Sequence, residues 1–91
     1  MEIWMINETY IDETGRITEK IHKIAFVHRE KASEYTYTKI DELCDLYNRY
    51  SGLKKEYYVV SRNLYSATMR VRNCELERLT LETIPVKLDE S

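Results

Sequence analysis

The sequence predicts an α+β fold, in which a small antiparallel sheet of four to five strands carries one α-helix on one face. One segment has the apolar periodicity of a helix, and several others have the alternation or the β-branched content of strands. Only two glycines and one proline interrupt the 91 residues, so connections should be short. We therefore expect a single domain over residues 1–91, with the element order β-β-α-β-β-β.

The first strand is predicted over residues 2–11, which are rich in β-favouring side chains. Ile3 and Met5 alternate with Trp4 and Ile6, so both sides of the strand begin apolar. We expect the helix to cover one side and another subunit to cover the other, which is a first indication of an oligomer.

A hairpin turn is predicted over residues 12–15, with Gly15 in the left-handed conformation. The next strand is expected from about Arg16 to His28, because residues 24–27 are β-branched or aromatic at three of four positions. A helix over residues 18–31 fits the same apolar spacing and remains an alternative.

The helix is predicted over Thr38–Gly52, after a polar loop at residues 29–37. Thr38 is a residue type that can cap the N-terminus of a helix, and Asp41 follows it at capping-box spacing. Gly52 can supply the left-handed residue that ends a helix. The apolar face recurs at steps of three and four residues and is predicted to be buried; it consists of Ile40, Leu43, Cys44, Tyr47 and Tyr50.

Two strands are predicted after the helix, over residues 54–62 and 64–73, with a turn at residues 61–63. In the second of them one set of alternating side chains is mainly apolar and should point toward the core; the set is Tyr65, Ala67, Met69 and Val71.

The last strand is predicted over residues 76–88. Its apolar residues change parity near Glu82 and Thr83, where we expect a bulge or bend. Pro85 lacks an amide donor and places that half of the strand at a sheet edge.

No catalytic, metal or cofactor motif is evident. The histidines and cysteines, His22, His28, Cys44 and Cys74, lack the paired spacing of structural zinc sites. The carboxylates have simple explanations in turns and at a helix start, so we expect a protein that is not an enzyme and holds no cofactor. The N-terminus does not resemble a signal peptide, and the longest apolar runs are too short to span a bilayer, which predicts a cytoplasmic protein with no membrane contact.

The charge is unevenly distributed. Residues 49–72 carry six basic side chains and one acidic side chain, although the whole chain has a net charge of −2. Tyrosines are interleaved with these cations, and tyrosine is favoured in interfaces. The binding residues predicted from this pattern and from the first strand are Trp4, Tyr57, Tyr58, Arg62, Arg70 and Arg72.

These observations predict a non-catalytic binding protein with a regulatory or inhibitory role, which acts by contact with another protein or as a homodimer. A phage or mobile-element inhibitor is one such role. The first alternative is a domain that binds single-stranded nucleic acid or RNA through the basic, tyrosine-rich hairpin at residues 54–72. The second alternative is a small-ligand binder or an enzyme, which would require a closed pocket with convergent polar groups.

Overall fold

The computed structural model of the chain describes residues 2–52 and 54–88. They form a five-stranded sheet in the order β2-β1-β5-β4-β3, in which all neighbours are antiparallel, with one helix packed on it. This confirms the predicted α+β class and element order. The elements are β1 (Glu2–Ile11), β2 (Ile17–Ile21), α1 (Arg29–Ser51), β3 (Tyr57–Asn63), β4 (Ser66–Val71) and β5 (Arg78–Lys87).

The first hairpin turns where the sequence predicts it. Gly15 has a φ of 89°, in the left-handed region that glycine adopts without strain. One carboxylate oxygen of Asp12 accepts hydrogen bonds from the backbone N–H groups of Thr14 and Arg16, at 2.8 and 2.9 Å. The hydroxyl of Thr14 donates to the same oxygen at 2.6 Å. This hydroxyl bond, followed by the backbone bonds, lowers the pKa of Asp12.

The second strand is shorter than predicted, because β2 ends at Ile21 rather than His28. The alternative helix from Thr18 is also wrong, since helical structure begins only at Arg29. Residues 22–28 instead follow β1 as an irregular segment. Two backbone hydrogen bonds between Trp4 and Phe26, of 2.7 and 2.8 Å, hold this segment beside the sheet.

The helix begins nine residues earlier than predicted, so the expected loop at residues 29–37 is wrong and Thr38 lies within the helix. The apolar pattern misses this first part because its buried side chains are small: Ala32, Ser33 and Thr36. Thr36 satisfies its hydroxyl by donating to the carbonyl of Ser33 at 2.7 Å, which lets a polar residue lie against the sheet.

The end of the helix is as predicted at Gly52, which has a φ of 59° and donates its N–H to the carbonyl of Arg49. Tyr50 was expected on the buried face but is 82% exposed. The core between helix and sheet is formed by apolar side chains from α1, β1, β4 and β5, chiefly Ile6, Ile40, Cys44, Ala67, Met69, Leu79 and Leu81.

The β3–β4 hairpin turns at Leu64 and Tyr65, so the predicted turn at residues 61–63 is wrong. A register shift between Val59 and Ser61 leaves Val60 as an extra residue of β3. The strand continues beyond it to Asn63, so the turn comes later in the sequence than predicted. The predicted alternation is confirmed for Ala67, Met69 and Val71, which are buried, but Tyr65, predicted in the same set, lies in the turn and is 37% exposed.

The bulge expected near Glu82 and Thr83 is absent. Strand β5 pairs with β1 in unbroken register from Arg78 to Lys87. Thr83 takes the inward, buried position, so the change of apolar parity sends Ile84 and Val86 to the face away from the helix. The β4–β5 ladder ends at Glu82, which leaves Pro85 beside an open edge, as its missing N–H predicts.

Candidate functional site: the open face of the sheet

The helix covers one face of the sheet, and no element of residues 2–52 and 54–88 packs on the other. We call this second surface the open face. Because side chains alternate across a strand, the registers assign its members directly. Running from one end to the other, its rows are Ile3 and Val86; Met5 and Ile84; Ile21, Asn7, Glu82, Ser66 and Asn63; Glu19, Thr9, Thr80, Thr68 and Ser61; and Ile17, Ile11, Arg78, Arg70 and Tyr58.

One end of the open face is apolar. Ile3 lies directly opposite Val86, and Met5 lies directly opposite Ile84. All four side chains are half-buried, and none of them belongs to the core cluster beneath the helix. The prediction that Ile3 and Met5 face away from Trp4 and Ile6 is therefore confirmed. Ile84 and Val86 of β5 form the second half of this apolar end, because the apolar residues of β5 change to the open face after Thr83.

The opposite end carries two arginines side by side. Arg70 and Arg78 are directly opposed in the β4–β5 ladder. The backbone hydrogen bond from Thr83 to Tyr65 shows that odd-numbered residues of β5 bond toward β4, so this pair is of the non-hydrogen-bonded type, in which side chains lie closest. Like charges so placed destabilise a sheet. Among the described residues, no carboxylate forms an ion pair with either guanidinium.

Short hydroxyl side chains separate the two ends. Thr68 and Thr80 share a hydrogen bond of 3.0 Å across β4 and β5, and Thr9 donates to Glu19 at 3.4 Å across β1 and β2. The same rows also hold the longer side chains of Ile21, Glu82 and Glu19. The surface thus combines an apolar end, a mainly polar middle that includes two carboxylates, and a cationic end.

The six predicted binding residues do not form one surface. Tyr58 and Arg70 are on the open face, where they are directly opposed. Trp4 and Arg62 point to the helix side; Arg62 pairs with Asp41 of α1. Tyr57 is buried in the core, where its hydroxyl donates to Glu77.

Two arginines of the structure have aromatic partners. Arg29 lies between the rings of Trp4 and Tyr65, 4.3 and 3.1 Å from their centroids, which fixes the start of α1 against the sheet. Arg72 pairs with Glu56 at 2.8 Å and lies 5.3 Å from the ring of Tyr58. The predicted cation at position 72 is therefore neutralised within the hairpin.

Sequence reasoning missed Arg78. It follows an acidic stretch and begins the last strand, and nothing in its local pattern marks it. Its importance comes from the register of β4 and β5, which places it opposite Arg70, and the spacing of the two arginines along the chain does not by itself specify that register.

A buried carboxylate lies on the helix side of the sheet, at the end that carries Arg70 and Arg78. Glu77 is 1% exposed. One of its oxygens accepts hydrogen bonds from the hydroxyls of Tyr10 and Tyr57, each at 2.6 Å, and the other accepts from the ammonium of Lys55 at 2.8 Å. Lys55 also approaches Glu13 at 3.4 Å. These contacts tie β1, β3 and the segment before β5 together.

The hydrogen bonds of this cluster and its burial shift the pKa values of its members. Burial would raise the pKa of Glu77, but the hydrogen bonds from Lys55 and from the two tyrosines outweigh it and lower that pKa. Burial, and then the bond to Glu77, raise the pKa of both Tyr10 and Tyr57 well above the ordinary value. Both carboxylate oxygens are occupied, so Glu77 is a structural anion rather than an available base.

Two clefts flank Lys55. The first has a volume of about 450 Å³ and is lined by Tyr47, Tyr50, Tyr57 and neighbouring polar residues. The second, of about 280 Å³, lies on the side of Glu77 and Arg72. Both are open to solvent, in contrast to the closed pocket with convergent polar groups that a small-ligand binder would need.

A second polar cluster joins β1, the segment after β2 and α1. The two ring nitrogens of His22 lie 2.7 Å from a carboxylate oxygen of Glu8 and 2.8 Å from the hydroxyl of Tyr35. Both nitrogens are thereby engaged, and the histidine bridges strand and helix. Among the residues that the structure describes, no group of three or more histidine, cysteine or acidic side chains is arranged to hold a metal ion.

Cys44 is buried in the core, as predicted, and burial raises the pKa of its thiol. In the described part of the chain, no helix is both long and apolar enough to cross a membrane. Comparisons of the chain with protein-family models, with curated proteins and with solved structures give no match.

Proposed function

We propose that this protein is a non-catalytic binding module, regulatory or inhibitory in role, that uses the open face of its sheet to contact another protein. The observation that carries the proposal is the composition of that face: an apolar end without cover and an arginine pair without acidic partners among the described residues. An arrangement that costs stability in the isolated chain is expected where a partner compensates for it.

The partner is expected to present an apolar surface flanked by acidic side chains. The apolar part would bury Ile3, Met5, Ile84 and Val86 from water, which supplies the non-directional share of the binding energy. The acidic part would pair with Arg70 and Arg78. Planar guanidinium groups bind carboxylates in two-pronged geometry, so these arginines would also fix the orientation of the complex.

A non-catalytic role is supported by the state of the two polar clusters. In each, the groups that could act as acid or base are bound to one another: Glu77 to Tyr10, Tyr57 and Lys55, and His22 to Glu8 and Tyr35. General acid–base catalysis requires such a group within reach of a substrate proton.

The test is affinity capture from the source cell with a tagged protein, comparing a variant of the open face with a matched control. Met5→Ser combined with Ile84→Ser removes an apolar pair from the face, and Leu46→Ser removes an exposed apolar side chain from the helix. We expect the first variant to lose the partner and the second to retain it. Equal retention by both variants would refute the proposal, and light scattering shows whether the partner is a second copy.

Single-stranded nucleic acid is a second candidate, and the row Tyr58–Arg70–Arg78 favours it. An exposed ring beside two cations on an open sheet is the arrangement on which bases stack and phosphates bind. Arg70→Glu with Arg78→Glu should abolish retention of an oligonucleotide at low salt, and wild-type affinity should fall steeply as salt rises. An absence of wild-type retention at low salt would end this candidate.

A further inference from the structure

Within residues 2–52 and 54–88 the sheet has three open edges, and two of them are blocked against pairing. Strand β3 is interrupted by the extra residue Val60, which disrupts a regular ladder. The part of β5 beyond Glu82 presents Pro85, which has no N–H to donate. The third edge is β2.

Strand β2 directs a regular row of backbone groups outward. The N–H of Asp12 bonds to the carbonyl of Arg16, and the N–H of His22 bonds to the carbonyl of Ile6. Even-numbered residues of β2 therefore bond to β1, and the N–H and C=O groups of Ile17, Glu19 and Ile21 point away from the sheet. No bulge or proline interrupts this row.

The side chains of the same three residues lie on the open face. Ile17 is 61% exposed and Ile21 is 47% exposed, with Glu19 between them. Lys20 points to the other side, where it lies 3.5 Å from Glu8. The edge thus offers backbone hydrogen bonds, two apolar contacts and one charge of each sign.

We propose that the outer edge of β2 binds an extended segment of a partner protein, which adds a sixth strand antiparallel to β2. This inference rests on the proposed protein-binding function and specifies how the partner reaches the open face. The segment carries apolar residues opposite Ile17 and Ile21, a basic residue opposite Glu19 and an acidic residue opposite Lys20. Read from its N-terminus, its pattern is apolar, acidic, basic, polar, apolar.

The charges of β2 disfavour a second copy of this chain as the occupant. Three two-fold antiparallel registers pair at least two of the three outward-pointing residues of β2. One places Glu19 opposite its own counterpart, a second does the same with Lys20, and a third places Arg16 opposite Lys20. Each opposes like charges directly, which destabilises a strand pair. A segment with the complementary order of charges has no such conflict.

The probe is a blocked synthetic peptide with the central sequence Val-Glu-Arg-Thr-Val. Its control has the two charged residues exchanged, and a second control carries an N-methyl group on the arginine, which removes the N–H that would meet Glu19. In NMR titrations we expect the first peptide to shift the amide signals of Ile17, Glu19 and Ile21 and to slow their hydrogen exchange. Both controls should bind at least about tenfold more weakly.

A protein variant provides the reciprocal test. Glu19→Pro removes the outward N–H of residue 19 but none of the N–H groups that bond to β1. The control, Glu19→Thr, also lacks the carboxylate but keeps this outward N–H. We expect the proline variant to bind the peptide at least about tenfold more weakly than the threonine variant. If the proline variant does not fold, the N-methyl peptide decides the question with the wild-type protein.

Three results would overturn the inference: no amide shifts with the first peptide, shifts along β3 instead of β2, or equal binding of the N-methyl peptide. Self-association that Glu19→Pro abolishes would also overturn it. Leu46→Ser, on the exposed side of the helix, should leave peptide binding unchanged. If the wild-type protein binds no peptide but partner capture still depends on Met5 and Ile84, the edge inference is refuted and the proposed function stands.

Discussion

Removal of the Tyr57 hydroxyl is the perturbation whose effect the structure defines best. Tyr57→Phe deletes one hydrogen bond of 2.6 Å to the buried carboxylate of Glu77 and leaves the ring in the core. A hydrogen bond to a charged group contributes about 1.5–3 kcal/mol, so we expect a loss of about 2 kcal/mol at neutral pH. In a domain of this size, that corresponds to a fall in melting temperature of roughly 8–16 °C.

The effect should depend on pH, because it depends on the charge of Glu77. Once Glu77 is protonated in the folded state, the same hydroxyl bonds to a neutral acid, and its contribution should fall to about 1 kcal/mol. Thermal unfolding followed by circular dichroism at neutral and at acidic pH measures both values. The control is Tyr50→Phe, which removes a hydroxyl from a side chain that is 82% exposed and should change stability by less than about 0.5 kcal/mol.

Equal stability of Tyr57→Phe and Tyr50→Phe would contradict the predicted contribution of this bond. An equal loss at position 57 at both pH values would also contradict it, since the bond would then not depend on a carboxylate.

The Glu77 cluster, the helix end and the arginine pair can each be tested by a single substitution. Folding lowers the pKa of Glu77, so its carboxylate stabilises the folded state above the pKa of a free carboxyl group. This stabilisation is lost as the pH falls through the pKa of Glu77 in the folded state. Measurements of the free energy of unfolding against pH should therefore show a smaller loss in acid for Glu77→Gln than for the wild type. Gly52→Ala should cost about 1 kcal/mol in denaturant unfolding, because a φ of 59° is strained for alanine although its Cβ would meet no neighbour within 4 Å, and Gly52→Asn should cost less. Arg78→Thr should stabilise the isolated protein by about 0.2–1 kcal/mol, since it removes the charge opposite Arg70, and should weaken partner binding; lower stability of this variant would contradict the account of that pair.

The sequence predicted the elements that depend on local chemistry. Gly15 and Gly52 mark a turn and a helix end because only glycine adopts a left-handed conformation at little cost, and the alternation in β4 follows directly from burial on one face. The start of α1 was not predictable in this way. Ala32, Ser33 and Thr36 are buried because small side chains allow close approach to the sheet, and a search for large apolar residues does not register them.

The candidate site depends on register, which a single sequence does not specify. The parity change in β5 was visible, but a bulge and an apolar outer face explain it equally well until the β1–β5 pairing is known. Arg70 and Arg78 become neighbours only through the β4–β5 register. Glu77 looked like one of several surface carboxylates, because its partners Tyr10, Lys55 and Tyr57 are distant in the chain.

Site-specific photo-crosslinking tests the open face most directly. A photoreactive amino acid is placed at Thr80, in the middle of the open face, or at Asp45, on the exposed side of the helix, and irradiated in extract of the source cell. We predict adducts with another protein from position 80 and none from position 45. Excess wild-type protein should suppress these adducts, and excess Met5→Ser, Ile84→Ser protein should not. Adducts that arise only from position 45, or that both competitors suppress equally, would contradict the proposal that the open face binds the partner.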